Sequence, residues 1–377
     1  MIVPPATLGI LGGGQLGRYF VVAARTMGYR TMVLEPDPDA PAGALADVHL
    51  VAAYDDPDAL ARLAAECAVV TTEFENPPAA ALARLAADVA VRPSPHAIGV
   101  AQDRRREKRF LEAAGIPVAP FAVIESPDDV TLAARRHTFP AILKTARLGY
   151  DGKGQVAVGA SDELAGAWDA LERVPCVLEQ RVVLDGEVSV IVARSAAPGA
   201  GPVVYPLCAN VHRDGILDVT TVPGPYVPEA YAIAERIVAA LDYVGVLAVE
   251  LFVTPQGVLA NELAPRPHNS GHWTLDYSIT SQFEQQVRAV CGLPLGDPAL
   301  TVEAAAMINV LGDAWSSGEP DWPAVLGHPS APKLHLYGKA GARPGRKMGH
   351  VTVAAATPVA ASALARAVWP ARPATAQ

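Results

Sequence analysis

The stretch from Val246 to Trp273 constrains the fold of this chain most strongly. Two apolar runs flank the turn residues Thr254-Pro255-Gln256-Gly257, which predicts a β-hairpin. Each run carries one carboxylate where a core strand would carry an apolar side chain, Glu250 in the first and Glu262 in the second. Because paired carboxylates repel, a cation between them is favoured, and Mg²⁺ carrying nucleotide phosphates is the expected one. The alternative, two solvated glutamates, is disfavoured because both interrupt apolar strands.

Donors for anions follow this hairpin directly. Arg266, His268 and Asn269 lie on the loop after the second run, and Asn261 precedes Glu262. Guanidinium and imidazole groups suit phosphates and carboxylates. The sequence therefore predicts an anion-binding loop beside the predicted metal site.

Composition sets the class of protein. The chain has 377 residues, enough for two or three domains, and its net charge of −9 argues against a nucleic-acid partner. Its four cysteines form no C-x-x-C pair, which favours buried thiols in a reducing compartment. The first apolar run breaks at a glycine turn, unlike a signal peptide, and no apolar run is long enough to cross a bilayer. We expect a soluble cytoplasmic protein with no membrane or nucleic-acid partner.

The N-terminal region is predicted to be a parallel α/β domain over residues 1–97. A strand at Thr7–Leu11, the turn Gly12–Gly17, a helix and a second strand ending at Glu35 fit the pattern G-x-G-x-x-G with a following acid. This pattern alone also allows a dehydrogenase with Glu35 on a ribose, but the same turn serves any phosphate or ribose at a helix N-terminus. Glu73 ends a later strand and is predicted either to contact substrate or to cap the following helix.

Two further segments have the character of phosphate sites. A charged helix begins after Asp103, its predicted N-cap; such a run is usually a solvated face, but Arg104 lies where a phosphate could reach it. Lys144 ends an apolar strand, and the loop Gly149–Gln155 follows with three glycines and Lys153. Exposed backbone donors on such a loop suit a phosphate cover, the alternative being a flexible hairpin tip.

Polar residues later in the chain are further candidates for binding a nucleotide or a phosphate ester. The run Glu179–Val182 could recognise an adenine edge and a ribose, Glu187 interrupts the next strand, and His212 is a lone strand histidine of the kind that is more often structural. A late loop carries Lys339, Arg343, Arg346 and Lys347, which suits a phosphate ester or is simply a solvated basic turn. The Ala/Pro-rich tail over residues 354–377 receives no role, with one possible helix over 361–369.

Taken in order, these motifs resemble one family. The motifs are, in chain order, G-G-G-Q-L-G-R, E-F-E-N, G-Y-D-G-K-G-Q, E-Q-x-V-x-x-x-G-E-V-S, N-E-L-A-P-R-P-H-N-S-G-H-W-T and G-R-K-M-G-H. Over about residues 7–353 the chain resembles the ATP-grasp enzymes, and among them the 5-(carboxyamino)imidazole ribonucleotide synthases of purine biosynthesis. The resemblance implies an α/β and α+β architecture. Its expected parts are an N-terminal Rossmann-like domain, an ATP-grasp domain over 98–300 (subdomains about 117–183 and 184–300) and a small β-rich domain over 301–353.

The resemblance also implies a reaction and a set of residues. ATP phosphorylates bicarbonate, and the amine of 5-aminoimidazole ribonucleotide takes up the carboxyl group. ATP contacts are implied for Arg104, Lys144, Gly149, Tyr150, Asp151, Gly152, Lys153, Gly154, Gln155, Glu179, Gln180, Arg181, Val182, Glu187, His212, Asn261 and Glu262. Ribonucleotide contacts are implied for Gln15, Leu16, Glu73, Tyr150, Asp151, Lys339, Arg346 and Lys347. Mg²⁺ is implied at Glu250 and Glu262, and catalytic roles for Arg266, His268, Asn269 and Asp151.

Alternatives stay open at this point. A sister ATP-grasp ligase using formate or glycine would share most of these motifs, and a catalytically inactive binding protein would keep the fold. Direct transfer from carboxyphosphate and transfer through carbon dioxide released in a closed site fit the sequence equally. The resemblance further implies a homodimer, which no residue proves.

Overall fold

The protein is described by a computed structural model that covers residues 1–149 and 152–370. Its N-terminal part is a parallel sheet with the strand order β3-β2-β1-β4, flanked by helices, as predicted. Leu8 on the central strand is in register with Thr31 on one side and Val69 on the other. The elements are β1 (Thr7–Leu11), α1 (Gln15–Thr26), β2 (Arg30–Leu34), β3 (Val48–Leu50), α2 (Pro57–Glu66), β4 (Val69–Thr72) and α3 (Ala79–Asp88).

Two helices then lead into a small antiparallel sheet of order β5-β8-β6-β7. Apolar side chains of this sheet and its helices form a separate core, with Leu143, Trp168 and Leu178 buried in it. The predicted positions Tyr150 and Asp151 lie outside the described residues. The elements are α4 (Pro95–Ala101), α5 (Arg104–Ala113), β5 (Phe121–Ile124), α6 (Pro127–Arg136), β6 (Ala141–Thr145), β7 (Gln155–Val158), α7 (Leu164–Ala170) and β8 (Cys176–Gln180).

A long sheet organises the remainder, in the order β14-β13-β9-β11-β12-β15-β17-β16, with β10 paired to β9. Its elements up to residue 291 are β9 (Gly186–Arg194), β10 (Val203–Val204), β11 (Cys208–Arg213), β12 (Ile216–Val222), α8 (Pro228–Ala240), β13 (Gly245–Thr254), β14 (Gly257–Ala264), α9 (Thr274–Tyr277) and α10 (Gln282–Cys291). Those after it are β15 (Ala304–Leu311), α11 (Trp322–Leu326), β16 (Lys333–Leu336), β17 (Lys347–Ala355) and α12 (Pro358–Val368).

The C-terminal part is β-rich, as predicted, and it continues the central sheet. Its strands do not form a sheet of their own, because β12 pairs with β15 through Val219 and Ile308 and so extends the central sheet. The predicted boundary at residue 353 falls inside β17, and α12 begins earlier than the predicted helix over 361–369. Ala361, Ala365 and Val368 of α12 are buried in the same apolar cluster as that sheet. The residues up to 368 are therefore part of the packed fold rather than a tail.

Within the part of the chain that the structure describes, no helix is both long enough and apolar enough to span a membrane.

Candidate active site

The predicted hairpin is formed by β13 and β14, and it contains a β-bulge. Counted from the turn, Leu251 pairs with Ala260, so unbroken pairing would place Glu250 opposite Asn261; instead Glu250 pairs with Glu262. Asn261 is therefore an extra residue on β14 with no register partner on β13. Such bulges change the direction of side chains and are common next to functional sites. The Asn261 side-chain oxygen is buried and finds no hydrogen-bond partner among residues 1–149 and 152–370. The bulge thus brings carboxylate and amide oxygens together at one place.

Each hairpin carboxylate lies against a nitrogen donor of the protein. Glu250 Oε1 is 3.0 Å from His268 Nε2, and Glu262 Oε2 is 2.9 Å from Arg104 Nη2. Burial raises the pKa of Glu250, but the hydrogen bond from His268 outweighs it and lowers that pKa to about 2. Glu250 is therefore placed as an anion, and carboxylate oxygens are the ligands that hard divalent ions prefer.

This donor set fits Mg²⁺ through oxygens alone. Among the described residues no group of three or more His, Cys, Asp or Glu is arranged to hold a metal. Mg²⁺ does not need such a cage, since it is usually bound by one or two carboxylates together with substrate phosphates. Glu250, Glu262 and the unpaired oxygen of Asn261 provide that arrangement.

A buried chain of hydrogen bonds orients His268. The Ser270 backbone amide donates to His268 Nδ1 at 3.3 Å, and Ser270 Oγ lies 2.9 Å from the same nitrogen. Because Nδ1 accepts, Nε2 carries the proton and donates to Glu250. Ser189 Oγ lies 2.7 Å from Ser270 Oγ, and Asn210 Nδ2 donates to Ser189 at 2.9 Å. Nothing in the sequence pattern singled out these small polar residues.

Asn269 makes a different contact from the one expected of a catalytic group. Its side-chain amide exchanges two hydrogen bonds with Asn309 of β15, at 3.0 and 2.7 Å. Both residues are buried. The structure therefore uses Asn269 to hold the loop after β14 against the central sheet, and its contact with a reacting group stays a prediction.

Arg266 joins the hairpin to the N-terminal domain. Its Nη2 pairs with Glu75, just beyond the carboxyl end of β4, and its Nη1 donates to the Pro267 carbonyl at 3.0 Å. Burial lowers the pKa of Arg266, but the charge of Glu75 outweighs it and raises that pKa. A fixed guanidinium is thus placed where ligands of parallel sheets bind.

The glycine turn before α1 is filled by protein carboxylates. Glu73 accepts hydrogen bonds from the backbone amides of Gly14 and, at 2.7 Å, Gly17, and Glu35 accepts one from Gly13 at 2.8 Å. A Cβ at Gly13 would lie 2.6 Å from Cγ of Glu35. The turn needs glycine because these carboxylates lie against it. The backbone amides at the N-terminus of α1 donate to Glu73. They are therefore not available to a cofactor phosphate, which the dehydrogenase alternative requires.

Glu73 therefore acts as a cap, but for α1 and not for the helix that follows it in sequence. Burial raises the pKa of Glu73, and amide donors together with the charge of Lys339 work against that rise. Gln15 begins α1 beside this carboxylate. Leu16 is 6% exposed and packs with Tyr19 and Phe283, so only its backbone is placed to contact a ligand.

The phosphate-side lysine lies in a buried charge cluster. Glu179 Oε2 is 3.2 Å from the Nζ atoms of both Lys144 and Lys108. Burial raises the pKa of Glu179, but Lys144 and Lys108 outweigh it and lower that pKa to about 2. Its contact with adenine stays a prediction, since this oxygen lies with the lysines.

The interpretation of residues 104–108 as a mostly solvated face was wrong. Asp103 caps α5 by accepting from the Arg105 amide, as predicted, but Glu107 and Lys108 are 1% and 0% exposed. The sequence signal that was missed is helical spacing. Lys108 follows Arg104 at i+4 and precedes Leu111 at i+3, which places all three side chains on one face of the helix.

The remaining predicted residues surround this cluster. The loop before β7 holds Gly152 and Gly154 at φ of +77° and +70°, where a side chain is strained, and Lys153 lies exposed between them. Glu187 Oε2 lies 3.1 Å from His212 Nδ1. Burial lowers the pKa of His212, but Glu187 outweighs it and raises that pKa. Gln180 ends β8, and Arg181 and Val182 begin the connection to β9.

The cations of the late loop do not form one cluster. Arg346 Nη1 donates to the carbonyls of Ala340 and, at 2.9 Å, Gly341, within its own loop. Lys339 Nζ donates to the Lys347 carbonyl at 2.9 Å and lies close enough to Glu73 to influence its pKa. The charge of Lys347 instead acts on Glu250 and His212.

Family models match most of the chain. Residues 5–102 match a ribonucleotide synthetase preATP-grasp domain, residues 109–283 an ATP-grasp domain, and residues 305–364 a phosphoribosylaminoimidazole carboxylase C-terminal domain. The fold and the site define an ATP-grasp enzyme, a ligase that takes a nucleotide as co-substrate.

Full-length relatives narrow the class. The chain is 46% identical over 356 residues to N5-carboxyaminoimidazole ribonucleotide synthase of Brucella melitensis, covering 93% of this chain and 96% of the relative. The Bacillus subtilis enzyme of that name is 41% identical over 357 residues, covering 93% and 92%. This chain belongs to the N5-carboxyaminoimidazole ribonucleotide synthase family.

Solved structures agree with that assignment. The synthetase from Thermus thermophilus superposes with a TM-score of 0.87 at 40% identity, covering 96% of this chain and 97% of that one. The synthase from Aspergillus clavatus in complex with ADP and 5-aminoimidazole ribonucleotide gives 0.86 at 30% identity, covering 96% and 97%.

Proposed function

We propose that the protein carboxylates the amine of 5-aminoimidazole ribonucleotide with bicarbonate at the expense of ATP, in de novo purine biosynthesis. The products are 5-(carboxyamino)imidazole ribonucleotide, ADP and phosphate. The observation that carries the proposal is the β13–β14 hairpin, where Glu250 pairs with Glu262, Glu262 contacts Arg104, and Arg266 follows on the next loop. Family membership supports the same substrates.

We place Mg²⁺ on Glu250, Glu262 and the Asn261 side-chain oxygen. When bound there it would neutralise charge on the terminal phosphates of ATP. Lys144 and the Gly149–Gln155 loop are proposed to hold the same phosphates, and Glu187 with His212 to hold the nucleoside side.

The chemical steps then follow from charge and proximity. A bicarbonate oxygen attacks the terminal phosphorus of ATP, and ADP leaves, giving carboxyphosphate. The ribonucleotide amine attacks the carboxyl carbon, phosphate leaves with the bridging oxygen, and the amine loses a proton. Arg266 is proposed to stabilise the negative charge of the carboxyphosphate oxygens, and His268 to orient them through its fixed ring. Closure of the phosphate loop would keep water from hydrolysing this intermediate.

The ribonucleotide is proposed to lie between the N-terminal domain and the late loop. Glu73 and the start of α1 line one side, and Lys339 with Lys347 the other. Asp151 and Tyr150, which are also assigned here, lie outside the described residues. Arg346 is assigned to the 5′-phosphate.

Replacing Arg346 by alanine is expected to raise the KM for the ribonucleotide far more than the KM for ATP, because a guanidinium is lost from the phosphate-ester side only. Steady-state kinetics with each substrate varied in turn measure this. Arg343→Ala, at a neighbouring position of the same loop, is the control and should change neither constant. Equal effects of Arg346→Ala on both constants would point to a disturbed loop instead.

The assigned reaction is tested by omission. ADP release should require ATP, Mg²⁺, bicarbonate and 5-aminoimidazole ribonucleotide together, and should fall to background when the ribonucleotide is left out. Full activity without the ribonucleotide would overturn the substrate assignment. Stimulation by formate or glycine in place of bicarbonate would identify a sister ligase.

Two further proposals concern the whole molecule. We place the enzyme in the cytoplasm, since its four cysteines are free and buried, as expected in a reducing compartment. We also propose a homodimer, by resemblance to the family, and light scattering should then give twice the mass of the chain.

A further inference from the structure

Helix α5 contacts the strand that carries the bulge through three side chains. Lys108 Nζ donates to the Asn261 carbonyl at 2.9 Å, and the Leu263 amide donates to Glu107 Oε1 at 2.7 Å. One helical turn earlier, Arg104 pairs with Glu262. The inner face of α5 therefore contacts consecutive residues of β14 at the point where the strand departs from regular pairing.

These contacts have a physical reason. Asn261 has no register partner on β13, because Glu262 pairs with Glu250 and Ala260 with Leu251. A backbone carbonyl removed from the ladder and shielded from water must find another donor. Lys108, which is 0% exposed, supplies that donor with a charge, and such bonds are stronger than neutral ones.

Burying Lys108 is costly because its charge loses its hydration, so a further contact must compensate. Lys108 recovers part of that cost from Glu179, whose Oε2 is 3.2 Å away. The same oxygen is 3.2 Å from Lys144, so the two lysines share this partner, and Lys144 still has it when the charge of Lys108 is removed. Lys108 thus spans from the small antiparallel sheet to the hairpin.

We propose that Lys108 and Glu107 are positioning residues that hold the β14 bulge so that Asn261 and Glu262 present their oxygens to the nucleotide-bound metal. The inference rests on the proposed placement of Mg²⁺ at the hairpin. It concerns groups that contact neither metal nor substrate but support those that do. Such supporting contacts typically change metal affinity by about 10- to 100-fold when they are removed.

The test is nucleotide binding with and without Mg²⁺, measured by calorimetry. Lys108→Met keeps most of the length of the side chain and removes its charge. It should weaken binding of Mg·ADP by ~10-fold or more, while metal-free ADP, held through Lys144, changes little. Arg109→Met is the matched control, because Arg109 is the next residue on the same helix and is exposed. It should bind Mg·ADP like the unaltered protein.

A second pair of variants covers the case in which Lys108→Met does not fold. Glu107→Ala loses the acceptor for the Leu263 amide and should show the same Mg²⁺-dependent loss. Glu107→Gln keeps an acceptor oxygen in the same place and should bind Mg·ADP almost normally.

Equal losses of Mg·ADP and metal-free ADP affinity, or no loss in either, would overturn the proposal, since the first indicates general damage and the second no role. These measurements involve no bicarbonate and no ribonucleotide. They can therefore succeed or fail independently of the omission assay for the carboxylation reaction.

Discussion

Replacing Glu262 by glutamine is expected to lower turnover at least ~10²-fold, the scale of losing one group that stabilises developing charge. The substitution keeps the shape of the side chain but removes one of the two anions paired across the hairpin. Initial rates of ADP release at saturating ATP, bicarbonate and ribonucleotide measure it. The Mg²⁺ concentration for half-maximal rate should rise in the same variant, because a metal ligand has been weakened.

Two comparisons keep this result interpretable. Glu229→Gln removes a carboxylate from an exposed position on α8 and should leave both rate and Mg²⁺ dependence unchanged. Glu262 also pairs with Arg104, so a rate loss with unaltered Mg²⁺ dependence would assign its effect to the arginine. Near-normal turnover of Glu262→Gln would remove this residue from the site.

Replacing Arg266 by methionine is expected to lower kcat by about 10²- to 10³-fold, with a much smaller change in the KM for ATP. Arg266 pairs with Glu75 of the N-terminal domain, and we propose that it contacts the acceptor rather than the nucleotide. Lysine at this position should restore little, because it carries the charge without the planar fork that pairs with two oxygens. Steady-state kinetics of both variants measure these effects.

The partner of Arg266 provides the control. Removing Arg266 leaves Glu75 without its cation, and a partly buried unpaired charge is destabilising. The double variant Arg266→Met/Glu75→Gln should recover thermal stability while its kcat stays low. Recovery of kcat in the double variant would show that Arg266 matters only as the partner of Glu75.

Much of this site could be predicted from local pattern. The apolar runs and the Pro-Gln-Gly turn were enough to place Glu250 and Glu262 close together on adjacent strands, because hairpin register follows from turn position. The bulge at Asn261 could not be predicted. It depends on donors and acceptors from α5, more than 150 residues away in sequence, and no local propensity records such contacts.

Long-range packing also explains the other departures. In the sequence, the glycine turn before α1 resembles a phosphate site. In the structure its amides donate to Glu73, which is 59 residues from Gly14. The C-terminal strands were predicted as a separate unit because sequence cannot show that β15 would pair with β12. The burial of Lys108 was missed because charge is normally a sign of solvent exposure, and a buried lysine is recognised only once its partner Glu179 is known.

The central claim is that ATP and bicarbonate react with each other at the hairpin. Bicarbonate labelled with ¹⁸O tests it most directly, because an oxygen that attacks the terminal phosphorus stays with phosphate when the carboxyl group is transferred. With ATP, Mg²⁺ and 5-aminoimidazole ribonucleotide present, one ¹⁸O atom should appear in each phosphate released, as seen by mass spectrometry. Phosphate that carries no ¹⁸O, while carboxylated product still forms, would contradict the account.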